Sequence, residues 1–187
     1  MIKKLLALAV VVTLCGCTWG DYRETNYFDL QTPSALPQVA LPVSIARFDN
    51  TSGVRQHIIY RSGDSLLRRD EYNKFIDTPE RMIERYLTVA FSDRPVVTDA
   101  TGDRLVIRGK IFLFEFDIAK MEAAIGLEYT VERRNSDNLV IATHIGSAIY
   151  RSQSTGTAPD VVTRAFSRCA AQLADALYTI TEGFKAE

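Results

Sequence analysis

The stretch Ala123-Ala124-Ile125-Gly126-Leu127-Glu128-Tyr129-Thr130-Val131-Glu132 decides the fold class. Every second residue in it is apolar, and the residues between are small or polar, which predicts a strand with one buried face. The same period of two extends from Arg104 to Arg151, interrupted by the turn Asn135-Ser136-Asp137-Asn138. We therefore expect three neighbouring antiparallel strands in this half of the chain.

Two helices are predicted, one before and one after these strands. Asp77-Thr78-Pro79-Glu80 and Thr157-Ala158-Pro159-Asp160 each combine a capping side chain, an early proline and an acidic residue. Apolar residues then recur every three or four positions, up to Ser92 in the first helix and Gly183 in the second. The pattern predicts an α+β fold: a two-layer domain with a mainly antiparallel sheet and two amphipathic helices on one face, in the order ββ(β)-α-βββ-α.

The strands of the first half are predicted from shorter runs. Val43, Ile45 and Arg47 alternate with their neighbours in a strand that ends at the turn 49–53. Residues 55–61 are rich in β-forming side chains, and residues 65–72 are predicted to return as their hairpin partner.

The N-terminus has the pattern of a secretory signal. Lysines at positions 3 and 4 precede the apolar run 5–14, which is too short to span a bilayer. Its ending Leu14-Cys15-Gly16-Cys17 resembles the lipobox of bacterial lipoproteins, in which the cysteine receives a diacylglyceryl group and becomes the first mature residue. By this resemblance residues 1–16 are a lipoprotein signal peptide and Cys17 is the lipidation site. Cys15 is the rival site, but Leu14 is bulky for the position before the cut; an ordinary cleaved signal or a short buried helix are the other interpretations.

The remaining chain divides into a tether and one domain. Residues 17–40 contain Gly, Pro and many polar residues and are predicted to be a lipidated N-terminus and tether, in which Tyr27-Phe28-Asp29-Leu30 adds an edge strand. Residues 41–187 are predicted to be a single periplasmic domain. Thr18 occupies the place where Asp resembles an inner-membrane retention signal in such lipoproteins, so we expect a lipid anchor in the outer membrane of a Gram-negative bacterium, facing the periplasm.

Charge and cysteine content narrow the function classes. Without Lys3 and Lys4 the chain has 20 basic and 23 acidic residues, which gives no electrostatic reason to bind nucleic acid. After loss of Cys15 and lipidation of Cys17, Cys169 is the one cysteine left, so no intramolecular disulfide is expected. Its predicted role is that of a small core residue on a helix.

Motifs of the common enzyme classes are absent from the sequence: there is no Gly-x-Ser-x-Gly, no Walker-type glycine loop and no His-Glu-x-x-His. His57 and His144 lie in separate predicted strands without a surrounding acidic or cysteine cluster. We therefore expect no catalytic residues, no metal and no cofactor. A periplasmic hydrolase would require the two histidines to meet in a polar cleft.

Three phenylalanines mark a candidate hydrophobic stripe. Phe112, Phe114 and Phe116 are predicted on one face of a strand whose other face carries Ile111 and Leu113. The stripe is either buried between two layers or exposed, and burial is favoured because the helices must cover part of the sheet. An uncovered stripe would imply a partner or a homo-oligomer.

The stretch from Ile59 to Ile83 carries a family resemblance. Ile59-Tyr60-Arg61, Tyr72-Asn73-Lys74-Phe75 and Thr78-Pro79-Glu80-Arg81-Met82-Ile83 resemble the signature of the ABC-type transport auxiliary lipoproteins, the PqiC-like family. Members carry a Tyr-Arg pair, a Tyr-x-x-Trp stretch and a Pro-Pro-x-x-Leu-Leu-like helix start. Phe75 stands here in place of Trp, and Thr78 in place of the first Pro.

The resemblance implies a non-enzymatic component of an envelope transport system. Such proteins accompany MCE-domain proteins and an ABC permease and ATPase, and are implicated in moving phospholipid or other hydrophobic molecules. The candidate partner-binding residues are Tyr60, Arg61, Tyr72, Phe75 and Pro79, of which Arg61 has a planar fork suited to carboxylates or phosphates.

Two alternatives stay open at this point. The aromatic residues Tyr60, Tyr72 and Phe75 are also explained as closing the core, with Arg61 paired to an acid such as Asp64 or Asp70. The protein is also explained as an outer-membrane lipoprotein that assembles or regulates another envelope machine, either a secretion channel or a cell-wall synthase.

Overall fold

The computed structural model describes residues 23–92 and 102–184. The signal segment, Cys15 and Cys17 lie outside these residues, so their predicted roles stay predictions. No helix in the described ranges is long and apolar enough to cross a membrane. In chain order the elements are β1 Asn26–Phe28, β2 Val43–Ile45, β3 Asp49–Asn50, β4 His57–Ser62, β5 Leu66–Phe75, α1 Pro79–Ala90, β6 Arg104–Asp117, β7 Glu122–Arg134, β8 Val140–Gln153 and α2 Pro159–Glu182.

One mixed sheet holds all the described strands, in the order β1-β5-β4-β6-β7-β8, with β2 and β3 also paired to β6. The long pairs β4–β5, β6–β7 and β7–β8 are antiparallel, and β1, β2, β3 and β4 make shorter parallel pairings. Residues of both helices and of the sheet form one buried cluster. The predicted α+β fold, with a mainly antiparallel sheet and two helices, is confirmed.

The core is centred on three phenylalanines from three different elements. Phe114 of β6 and Phe166 of α2 stack with ring centroids 4.5 Å apart, and Phe75 of β5 contacts both rings edge-on at 5.4 and 5.5 Å. Offset and edge-to-face ring pairs of this kind add to the free energy of apolar burial. The cluster therefore fixes α2 against the centre of the sheet and holds the end of β5 beneath it.

A β-bulge in β6 divides the predicted phenylalanine stripe. The register of β6 against β7 shifts between Ile111 and Leu113. The residues that face the core are therefore odd-numbered up to Ile111 and even-numbered from Phe114 onward. Phe114 and Phe116 are fully buried, as the favoured interpretation predicted. The prediction is wrong for Phe112, whose ring lies over Gly126 on the opposite face: a Cβ at Gly126 would be 2.6 Å from that ring.

The helix starts differ from the predicted caps. Both helices begin with the expected proline, but their N-cap residues Thr78 and Ala158 make no side-chain capping hydrogen bond. The carboxylate of Asp77 accepts from the Thr78 amide at 2.8 Å, and Glu80 accepts from the Asn50 side chain at 2.8 Å. The predicted capping box is therefore wrong at Glu80, because the tertiary contact with Asn50 of β3 competes for its carboxylate.

The predicted strand 43–48 is divided into β2 and β3. Between them the Phe48 ring fills the space above Gly109 of β6, where a Cβ would be 2.5 Å from the ring. The Phe48 amide donates to the Glu84 carboxylate of α1 at 2.5 Å rather than to the sheet. A large side chain turned into the core at this point interrupts the ladder that alternation alone would continue.

Much of the expected tether is packed against the domain. The edge strand predicted at residues 27–30 is confirmed as β1, which pairs with β5 in parallel. Leu30 and Val39 are buried, and the Leu36 amide donates to the Ala90 carbonyl at 2.8 Å. The folded unit therefore includes residues from Asn26 onward, whereas the sequence pattern placed its start at residue 41. The apolar residues of this segment follow no regular period, yet the segment contacts both helices.

Removing the Phe166 ring tests the central cluster. We expect Phe166→Ala to lower the free energy of unfolding by about 3–5 kcal/mol, because the cavity would lie between two other rings. Tyr27→Ala is the matched control, since Tyr27 is an exposed aromatic on β1, and its effect should stay below about 1 kcal/mol. Urea unfolding of both variants measures the difference; equal losses would contradict the assignment of the cluster as the core.

Candidate functional site

The five candidate partner-binding residues are not equally accessible. Phe75 and Pro79 are buried, the former inside the aromatic cluster and the latter in the first turn of α1. Tyr60 and Arg61 of β4 are half-buried, and Tyr72 of β5 is 43% exposed. Tyr72 is thus the most accessible of the five, and partner binding by the set stays a prediction.

Arg61 is engaged by an acid that sequence reasoning missed. Its Nε and Nη2 atoms both donate to the Glu115 carboxylate, with an Nη2–Oε2 distance of 2.7 Å. Nη1 donates to the Asp64 carbonyl at 2.9 Å. The Glu115 hydrogen bond is the main cause that raises the pKa of Arg61 above its ordinary value. The guanidinium therefore joins the β4–β5 turn to β6, and its Nε, Nη1 and Nη2 atoms are all hydrogen-bonded within the domain.

Tyr60 precedes Arg61 in β4, and its ring lies edge-on to Phe116 with the centroids 6.0 Å apart. Burial, followed by the negative charge of Asp70, raises the pKa of Tyr60 to about 12, so the phenol is neutral. It lines a shallow surface depression of about 530 Å³ whose other residues are Arg68, Arg69, Asp70, Glu71, Tyr72, Ile118 and Thr157. The depression therefore lies along the β4–β5 hairpin.

The tip of that hairpin exposes two leucines next to two arginines. Its turn Gly63-Asp64-Ser65 has Gly63 at a φ of 67°, a left-handed conformation that glycine adopts without strain. Leu66 and Leu67 are 47% and 51% exposed, and Arg68 and Arg69 are exposed as well. We call residues 63–69 the hairpin tip. Sequence reasoning assigned these leucines only to a strand, although two adjacent apolar residues on a strand place one side chain on each face.

The described chain begins beside this hairpin. β1 runs parallel to β5, with Asn26 opposite Asn73 and Phe28 opposite Phe75. Three residues before β1, the guanidinium carbon of Arg23 lies 5.4 Å from the centre of the Tyr72 ring. Because β1 and β5 are parallel, Arg23 is on the side of β1 that is nearer to the hairpin tip.

The opposite edge of the sheet is a long strand without charge in its centre. β8 is the terminal strand among the described residues, and residues 140–150 contain no Lys, Arg, Asp, Glu or Pro. Ile145 and Ile149 share one exposed face, with Ile145 75% exposed. An edge strand with free backbone groups and exposed apolar side chains is suited to pairing with another chain.

The two histidines do not form a site together. His57 Nδ1 of β4 is 3.0 Å from the Asp70 carbonyl, whereas His144 stacks on Tyr129 and lies on β8, three strands further along the sheet. Within residues 23–92 and 102–184 no group of three or more His, Cys, Asp or Glu is placed to hold a metal ion. Cys169 is buried and free, as predicted, and burial raises the pKa of its thiol to about 12.

Two solved structures share this fold. An uncharacterized protein has a TM-score of 0.63 at 9% identity, over 84% of this chain and 99% of its own. A Xanthomonas campestris protein of the family DUF330 has a TM-score of 0.58 at 20% identity, over 83% of this chain and 96% of its own. At these identities the similarity establishes a common fold and nothing about activity.

A third similarity is weaker. A lipoprotein from Neisseria meningitidis aligns at 9% identity over 77% of this chain and 99% of its own, with a TM-score of 0.27 that carries no argument. No protein-family model matches the sequence, and no curated protein matches it.

A double-mutant cycle tests the role of the Arg61–Glu115 pair. Glu115 is 13% exposed, so Arg61→Ala leaves a nearly buried carboxylate without its cation and should cost about 1–3 kcal/mol of unfolding free energy. The coupling energy with Glu115→Gln should exceed that of the exposed Lys110–Glu128 pair, which we expect below about 1 kcal/mol. Equal coupling in urea unfolding would show that Arg61 is not a structural residue.

Proposed function

We propose that this chain is a lipid-anchored, non-enzymatic auxiliary protein of an ABC/MCE-type envelope transport system, which docks or scaffolds at the outer membrane. The observation that carries the proposal is the packing of the N-terminal segment on the domain. β1 and the contact of Arg23 with Tyr72 place the first described residue on the body of the domain. A lipid on Cys17 would thus hold the domain close to the membrane.

The reach of the anchor follows from chain length. Arg23 is six positions after Cys17, and an extended chain of that length spans at most about 20 Å. If the domain began only at residue 41, a much longer chain would connect it to the anchor. This short connection would keep the domain close to the membrane surface, as a docking or scaffolding component requires.

The assignment to an ABC/MCE-type transport system rests on the resemblance of residues 59–83 to the auxiliary lipoproteins. That resemblance covers a segment in which Tyr72 is accessible and Arg61 is held by Glu115. The common fold with the DUF330 protein is compatible with it but names no partner.

The partner surface we propose is the outer edge of β8, which pairs with no strand of residues 23–92 and 102–184. It lies at the side of the sheet opposite β1, where the chain leads to the anchor, so the edge is accessible while the lipid is in the membrane. A strand of an MCE-domain protein added to this edge would satisfy the free backbone groups, and Ile145 would contact its side chains. Tyr72 is the remaining exposed candidate for a second contact.

Crosslinking in the native envelope followed by affinity purification tests this function. We expect an MCE-domain protein to be recovered with the wild-type chain and lost with Cys17→Ala, whereas Cys15→Ala should leave recovery unchanged. Ile145→Lys should reduce recovery several-fold because it places a charge on the proposed edge; Leu139→Lys, on an exposed residue in the preceding turn, is its control.

Recovery of cell-wall synthases or secretion subunits in place of an MCE-domain protein would overturn the transport assignment. It would favour the alternative of a lipoprotein that serves another envelope machine. Recovery that is the same for Ile145→Lys and wild type would reject β8 as the docking edge.

A further inference from the structure

The tip of the β4–β5 hairpin lies at one end of the sheet. β4 runs parallel to β6, with Arg61 opposite Asp117, so the hairpin tip lies beside the β6–β7 turn. The β7–β8 turn lies at the other end, where Arg104 pairs with Arg134. The 14 residues of β6 between the two ends correspond to roughly 45 Å of strand. The two ends of the domain are therefore well separated.

We propose that the hairpin tip is a membrane-contacting surface that inserts Leu66 and Leu67 among phospholipid headgroups. This inference rests on the proposed lipidation of Cys17 and adds to it the orientation of the domain. The occupant is a phospholipid bilayer with anionic lipid.

Chain length supports this occupant. Tyr72, on which Arg23 packs, is five residues from Leu67 along β5, a distance of about 17 Å. The six residue steps from Cys17 to Arg23 span at most about 20 Å, so an anchor on Cys17 reaches the plane of the hairpin tip but not the far end of β6. A bilayer that holds the anchor is consequently within reach of Leu66 and Leu67.

The side chains of the tip have the chemistry of an interfacial segment. Two adjacent exposed leucines supply apolar area on both faces of the hairpin, and Ile118 of the β6–β7 turn is exposed as well. Arg68 and Arg69 follow at once, and they are closer to the tip than the acids Asp70 and Glu71, which come after them on β5. Arginine binds phosphate through its planar fork and keeps its charge at the headgroup level while apolar neighbours insert more deeply.

The Arg61–Glu115 pair restrains the position of the hairpin tip. Arg61 bonds the Asp64 carbonyl in the turn and the Glu115 carboxylate on β6 at the same time. The turn is thus fixed relative to the central strand, so insertion of the leucines would orient the whole domain and not only a loop.

Fluorescence quenching by brominated lipids tests the proposal on the full, lipid-anchored chain. Leu67→Cys and Leu139→Cys are each labelled with an environment-sensitive dye; both positions are exposed leucines, at opposite ends of the sheet. In phosphatidylethanolamine–phosphatidylglycerol vesicles, lipids with brominated acyl chains should quench the label at position 67 at least threefold more than the label at position 139. The wild-type chain, in which Cys169 is buried, gives the labelling background.

Two further arms separate this inference from the proposed function. Flotation of wild type and Cys17→Ala with the same vesicles measures the anchor alone, and its failure would overturn the lipoprotein assignment. If the protein floats through Cys17 but the two labels are quenched equally, the anchor stands and the membrane-contacting hairpin is overturned.

Arg68→Gln with Arg69→Gln should bring quenching at position 67 in anionic vesicles down to its level in phosphatidylcholine vesicles. Unchanged quenching would overturn the headgroup contact.

Discussion

The packing of Phe114 against Phe166, closed by Phe75, is the contact on which the rest of the structure depends. It joins the central strand β6, the long helix α2 and the end of β5 through three mutually touching rings. Since β5 is held there, the hairpin it forms with β4 has a fixed base, and β1 has a strand to pair with. The position of the N-terminal segment is therefore a consequence of core packing.

The sequence was sufficient for the fold class because its long strands alternate cleanly. From Ala123 to Val131 one face is apolar throughout, and that face is the one that α2 covers. The bulge at Phe112 was not predictable in the same way. Ile111, Phe112 and Leu113 are all apolar, so a change of parity among them leaves the hydrophobic pattern intact. Only the contact of the Phe112 ring with Gly126 reveals which face it occupies.

The candidate site was predictable only in part, because its contacts join residues far apart in the chain. The hairpin followed from the break at Ser62-Gly63-Asp64, but the acid that holds Arg61 lies more than fifty residues away among the buried phenylalanines. The nearer acids Asp64 and Asp70 were the natural candidates by sequence distance; Asp64 contributes its carbonyl instead. Likewise, the polar and proline-containing segment 23–40 has no period that would show its packing on α1 and α2.

The two edges of the sheet differ in a way that constrains how the protein works. At one edge, three residues of β1 cover the end of β5, and the chain leads from there to Cys17. At the other edge, β8 is fourteen residues long and uncharged over residues 140–150. A soluble domain with no partner would be expected to protect such an edge with charge, proline or a covering segment, because it invites association. If Cys17 is lipidated as we propose, the anchor and the exposed edge strand lie at opposite edges of the sheet, which is the arrangement that the proposed docking function needs.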